Sequence, residues 1–186
     1  MIDTLEKLKE AKYFLSEMES SLENPDRFRC NLSAFISAAR STTMVMNVEM
    51  AHAPGFSGYL PAKIQEANAR TNGLMEYFHE QRRLTVHIRP LRPSRFINVE
   101  LHETLNIHVN VNTPVVFTGT GGTIPVTIAE AEEAIEKMIR IEKVSKPPVV
   151  TRQYFFDDIK DRDVLSLSRQ YYSEVEKIVR GFKGQL

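Results

Sequence analysis

A mainly α-helical bundle carrying a small antiparallel β-sheet is the fold class that this sequence predicts. Three observations predict it. Apolar residues recur at helical spacing from Leu5 to Phe78 and again from Val164 to Phe182. Between those stretches, from Phe96 onward, the apolar period changes to two. Turn-forming stretches such as Asn24-Pro25 and HAPGFSGYLP separate the runs. At 186 residues, with 42% hydrophobic and 26% charged side chains, the chain is long enough to bury one core, so a single domain spanning 1–186 is expected, with 95–128 as an inserted β-meander.

The first helix rests on Leu5, Leu8, Phe14, Leu15, Met18 and Leu22, and Asn24-Pro25 ends that pattern. A second follows through Phe28, Leu32, Phe35, Ile36, Ala39, Thr43 and Met46. Its small residues Ala34, Ala38 and Ala39 let a neighbouring helix approach closely, so the two helices are expected to pack as a hairpin. HAPGFSGYLP reads as a loop, with Pro61 in the first turn of a third helix running through Ile64, Ala67, Thr71, Leu74 and Phe78. The stretch YFHEQRRLTVHIRP closes it. Cys30, the only cysteine, lies in the apolar run of the second helix and reads as a packing residue.

Ile97, Val99 and Leu101, then Leu105, Ile107, Val109 and Val111, alternate with polar residues and predict one or two half-exposed strands. Ile97, Val99, Ile107 and Val109 are expected on a covered face, with Asn98, His108 and Asn110 toward water. PVVFTGTGGTIPV predicts a hairpin around Gly119, Gly121 and Gly122. A capping box from Thr127 to Glu130 predicts a fourth helix through Ile135, Met138 and Ile139, closed by Pro147-Pro148. YFFDD, residues 154–158, reads as an aromatic segment docked on the core before a polar turn. A last helix carries Val164, Leu167, Tyr171, Val175, Ile178, Val179 and Phe182 inward.

The formal net charge is zero, which argues against a dedicated nucleic-acid binder with an overall basic field. Locally the balance is different. From Gln81 to Val99 there is no acidic residue, and Arg82, Arg83, Arg89, Arg92 and Arg95 all fall there. No basic-apolar leader and no membrane-length apolar run is present, so a cytoplasmic protein without membrane contact is expected. TGTGG lacks the Lys-Ser/Thr ending of a phosphate loop and reads as a turn. LHETLNIH has the wrong spacing for a zinc protease, and neither a metal nor a cofactor is expected; ligand binding by His102 and His108 is the weakest reading.

Arg82 and His87 carry the chemistry that metal-free RNA cleavage requires. Histidine moves a proton near neutral pH, and arginine offers a planar donor fork to phosphate oxygens. Five residues apart on an ideal helix, the two side chains point about 140° apart. They converge only if the helix loosens near Leu84-Thr85-Val86 or if two subunits share one site. The plain alternative is that Arg82 and Arg83 are solvated helix-end charges and His87 helps to stop the helix.

LSAFISAARSTTMVM, YFHEQRRLTVHIRP and YFFDD, taken together in this order, resemble the bacterial HEPN superfamily, and its uncharacterised HEPN-like members in particular. The resemblance covers approximately Lys12 to Pro93 and Tyr154 to the end, and leaves out the sheet. It implies an antiparallel helical bundle, often dimeric, with a metal-independent ribonuclease motif R-x(4 to 6)-H at the dimer interface. The motif arginine then falls on Arg82 and the motif histidine on His87. Where that superfamily commonly has a small polar residue after the arginine, this chain has Arg83. The expectation is a homodimeric endoribonuclease, a toxin or defence component with an antitoxin or other protein partner, in which Arg83, Arg89 and Arg92 hold the RNA backbone. The rival expectation is a non-catalytic helical dimerisation or protein-interaction module.

Overall fold

The computed structural model describes residues 1–100, 103–109, 139–145 and 149–183, with side chains described for 1–98 and 149–183. Among these residues there are five α-helices: α1 (Ile2–Ser20), α2 (Pro25–Glu49), α3 (Phe56–Thr71), α4 (Leu74–His87) and α5 (Val164–Lys183). Four strands complete the set: β1 (Ser94–Glu100), β2 (Glu103–Val109), β3 (Ile139–Ser145) and β4 (Val149–Phe155). The chain divides into two compact units, one of residues Met1–Ile97 and Arg152–Leu186, the other of Asn98–Thr151.

The helical unit follows the apolar pattern closely. Asn24 caps α2, its side chain accepting a hydrogen bond from the Arg27 amide at 3.0 Å, while Pro25 opens the helix where a missing N–H costs nothing. Phe28, Leu32, Phe35, Ile36, Ala39, Thr43 and Met46 are all buried, and α1 packs along α2 as the expected hairpin. α5 is capped by Asp163, which accepts from the Ser166 amide at 3.0 Å. Every residue predicted to point inward from α5 is buried.

The third predicted helix is two helices. Asn72 and Gly73 both adopt positive φ, 54° and 80°, and this left-handed pair ends α3 and turns the chain into α4. Ala67, Thr71, Leu74 and Phe78 are buried as expected, but from two elements. α3 also starts earlier than Pro61, at Phe56, so the proline sits inside the helix. Tertiary contact holds that extra turn against the lost backbone bond. Phe56 packs edge-on against Phe182 at 5.0 Å, and the Tyr59 hydroxyl donates to the Ile178 carbonyl at 2.8 Å. A Cβ at Gly181 would meet that hydroxyl at 2.7 Å, so only glycine leaves it room.

Two further expectations are corrected. Cys30 is exposed, because two residues beyond Phe28 place it about 160° from the buried side of α2. Ile97 is also exposed, at 54%, so the covered face predicted for it is not formed within the described chain.

Residues Ile139–Ser145 form a strand and not the end of a helix: β3 pairs antiparallel with β2, with Ile107 opposite Ile141 and His108 opposite Arg140. Ile139 and Ile141 alternate with Arg140 and Glu142 as a pleated strand requires, and the cross-strand partner decides between the two periods. β1 pairs with β4 in a second two-stranded sheet, so paired strands continue to Phe155, beyond the predicted 95–128 meander. The glycine turn at 119–122, the capping box at Thr127, Ile135, Met138, His102, Asn110, Val111 and Pro147-Pro148 lie outside the described residues. The segment 154–158 behaves as expected. Tyr154 and Phe156 are buried, and Tyr154 stacks on Phe28 with centroids 3.8 Å apart and planes 9° from parallel.

Candidate functional site

Helix α4 positions the residues singled out for chemistry. Asn68 of α3 fixes its start, the side-chain oxygen accepting from the amides of Met75 at 3.0 Å and Glu76 at 3.2 Å. Phe78 fixes its rotation. It is fully buried, stacks on Tyr171 at 4.4 Å and 3°, and meets Phe35 edge-on at 6.3 Å. The helix runs unbroken to His87, with Ile88 and Arg89 amides both donating to the Leu84 carbonyl at 2.9 Å. No loosening occurs at Leu84-Thr85-Val86.

That rotation sorts the motif residues. Arg82, four residues past Phe78, lies about 40° from the buried side and is half-buried; His87, nine residues past, lies about 180° away and is exposed. Within one chain the structure therefore does not bring Arg82 and His87 together. Arg83 goes elsewhere again, held in a two-pronged pair with Glu80 at 2.6 and 2.8 Å. Its guanidinium holds the Glu80 carboxyl below its ordinary range.

His87 lines a cleft of about 580 Å³ between α2 and the end of α4, with Arg29, Cys30, Ser33 and Arg89 among its walls. No carboxylate lines it; Asp26 reaches Arg29 from outside at 3.3 Å. Arg89 and Arg92 also border a neighbouring hollow of about 440 Å³, closed by Phe156, Asp157 and Asp158. Both aspartates are engaged: Asp157 accepts from Ser94 at 3.1 Å and Asp158 from Tyr77 at 2.8 Å. Burial, and then the bond to Asp158, push the Tyr77 phenol well above its usual range, so it stays a donor.

On the other side of α4, Arg82 has company that the sequence did not announce. The charges of Arg82 and of Arg40 on α2 both act on His79, one turn before Arg82, and on the buried Tyr171. Burial, then Arg40 and Arg82, lower the His79 pKa, which favours its neutral form. The signal available in the sequence was weak: His79 and Arg82 share the i, i+3 spacing of helix neighbours, but Arg40 is 42 residues from Arg82, across a helix hairpin.

A third feature is a groove of about 980 Å³ between α2 and α3, whose apolar residues are Met44, Val45, Val48, Leu60, Pro61 and Ile64. Met44 and Val48 are 47% and 78% exposed. Among the described residues no group of three or more His, Cys, Asp or Glu side chains is arranged to hold a metal, and no helix is long and apolar enough to cross a membrane.

The fold and site thus define a helical protein with a basic, acid-free cleft at the end of α4. Comparisons with protein-family models, curated proteins and solved structures returned no significant match to the chain.

Proposed function

We propose that this protein is a HEPN-type, metal-independent endoribonuclease that works as a homodimer. The observation that carries the reading is the cleft around His87. It combines an exposed histidine, two arginines within reach of a phosphate and a lining without carboxylates. A polyanion meets no carboxylate in the lining of this cleft, and Arg89 and Arg92 continue the basic residues into the neighbouring hollow, where Asp157 and Asp158 offset part of their charge. His87 takes a proton from the RNA 2′-hydroxyl, which attacks the adjacent phosphorus; the phosphorus–O5′ bond breaks, and the leaving 5′-oxygen takes up a proton. Arg82 neutralises the charge that develops on the phosphate. Because α4 points Arg82 away from His87, that arginine comes from the second protomer.

The test is cleavage of RNA by purified protein in EDTA, with the ends of the products identified. A 2′,3′-cyclic phosphate end is expected, and His87→Ala is expected to lower the rate by about 10²- to 10⁴-fold. Wild type that binds RNA as its His87→Ala variant does, with neither cutting it, removes the ribonuclease reading.

A second reading, a non-catalytic dimerisation or protein-interaction module, is favoured by the groove between α2 and α3. Exposed Met44 and Val48 beside Ile64 form the kind of apolar surface that association covers.

A further inference from the structure

The groove between α2 and α3 exists because these consecutive helices splay: each packs on α4 and α5 more closely than on the other. Its floor is apolar, with Leu60 buried and Val45 and Ile64 half-buried. Its lips are exposed, Met44 and Val48 on α2 and Pro61 on α3.

The two ends of the groove carry opposite charges. Arg40 lines one end, where its side chain donates from Nη1 to the Thr43 hydroxyl at 2.8 Å and pairs with no carboxylate among the described residues. Asp3 lines the other, fixed there by its amide, which donates to Glu49 Oε1 at 3.3 Å. Glu49 is paired with the Met1 ammonium at 2.7 Å, whereas the exposed Asp3 carboxylate has no cation partner among the described residues. The remaining polar lining, Thr43, Asn47, Gln65 and Asn68, is uncharged. Between Arg40 and Glu49, α2 rises about 13.5 Å, or two and a half turns.

We propose that this groove receives an amphipathic helix of a partner protein, lying with its N-terminus at Arg40 and its C-terminus at Asp3. A helix is about 10 Å across and covers both exposed lips, which a small molecule seated on the floor leaves in water. Apolar side chains at i, i+3 or i+4, and i+7 span the floor, and the flexible Met44 adapts to their shape. An acidic residue in the first turn of the partner meets Arg40, and a basic one in its last turn meets Asp3. That is the charge order a helix's own macrodipole favours. A second copy of this chain does not fit here under the ribonuclease reading. Packed antiparallel on α2 about Met44, it leaves the two His87 clefts, lined by Arg29, Cys30 and Ser33, on the order of 35 Å apart, too far to share one site. A helix bound here supplies the partner class for the interaction-module reading; only the exclusion of a second copy rests on the ribonuclease one.

The experiment is a selection from a displayed library of randomised helices about four turns long, with the full chain as bait and its Val48→Glu variant as counter-bait. The enriched sequences are expected to carry apolar residues at i, i+3 or i+4, and i+7, with an acid in the first turn and a base in the last. A synthetic peptide of the enriched sequence should bind Val48→Glu about tenfold or more weaker than wild type, because the variant places an unpaired charge on a covered lip. A bait carrying both Arg40→Glu and Asp3→Lys should select the reverse charge order. Enrichment without helical periodicity, an unchanged charge order with the swapped bait, or binding that survives Val48→Glu overturns the proposal. Because Val48 is exposed, its comparison decides even if the swapped bait fails to fold. Sedimentation of the two baits tests the other occupant: a wild-type dimer that Val48→Glu dissociates assigns the groove to a second copy, which overturns the partner helix and keeps the interaction-module reading. RNA cleavage enters none of these readouts, so its failure is separate.

Discussion

Mixing two inactive variants should restore ribonuclease activity, because α4 cannot bring its own arginine and histidine to one phosphate. Helix geometry sets the magnitude. Five residues rise about 7.5 Å and turn the side chains about 140° apart, which leaves their Cβ atoms roughly 10 Å apart and diverging. The helix is unbroken over this span, and the buried Phe78 prevents it from rotating. On the proposed ribonuclease reading, a catalytic pair therefore requires Arg82 from one protomer and His87 from its partner. In a mixture of equal parts Arg82→Ala and His87→Ala, random exchange makes half of the dimers mixed, and each mixed dimer keeps one of its two composite sites. Activity should return to about a quarter of the wild-type level, from a background lowered about 10²-fold or more in either variant alone. The assay is cleavage of a fluorogenic RNA in EDTA after co-refolding, with exchange verified by native mass spectrometry. Mixed dimers that form without restoring activity would show that the site is not shared between subunits, and the argument from α4 would fail.

Two predictions concern stability. Burial alone would raise the Glu49 pKa, but the Met1 ammonium at 2.7 Å and donors from Thr4 outweigh it and hold the carboxyl at about 2. The lowered pKa corresponds to at most about 3 kcal/mol, present above the unfolded-state pKa of roughly 4.5 and lost as pH falls toward 2. In urea titrations Glu49→Gln should therefore be less stable than wild type at pH 7, and the gap should shrink steadily as pH falls from about 4.5 toward 2; a constant gap would contradict the linkage. Phe78→Ala should cost about 3–5 kcal/mol through the cavity left against Tyr171 and Phe35, whereas Val86→Ala, on the exposed side of the same helix, should change stability by less than about 0.5 kcal/mol. Similar denaturation midpoints for the two variants would mean that the rotation of α4 is misassigned.

The sequence by itself determined which side of each long helix is buried. The periods of α1, α2 and α5 are carried by residues three and four apart, and a helix with one apolar stripe has one way to hide it. It also announced the break at Asn24-Pro25, the docking of Tyr154 and Phe156, and the separation of Arg82 from His87, since a five-residue step around a helix is fixed before any packing occurs. Tertiary structure decided what depends on a partner distant in sequence. α3 continues through Pro61 because Phe182 and Ile178 anchor its first turn, and Ile139–Ser145 is a strand because β2 lies beside it. Cys30 and Ile97 sit in apolar runs, yet local pattern does not reveal which neighbours, if any, cover a given face. The packing of Phe35, Phe78 and Tyr171 across three helices was illegible for the same reason, because no spacing along the chain encodes a contact made between helices.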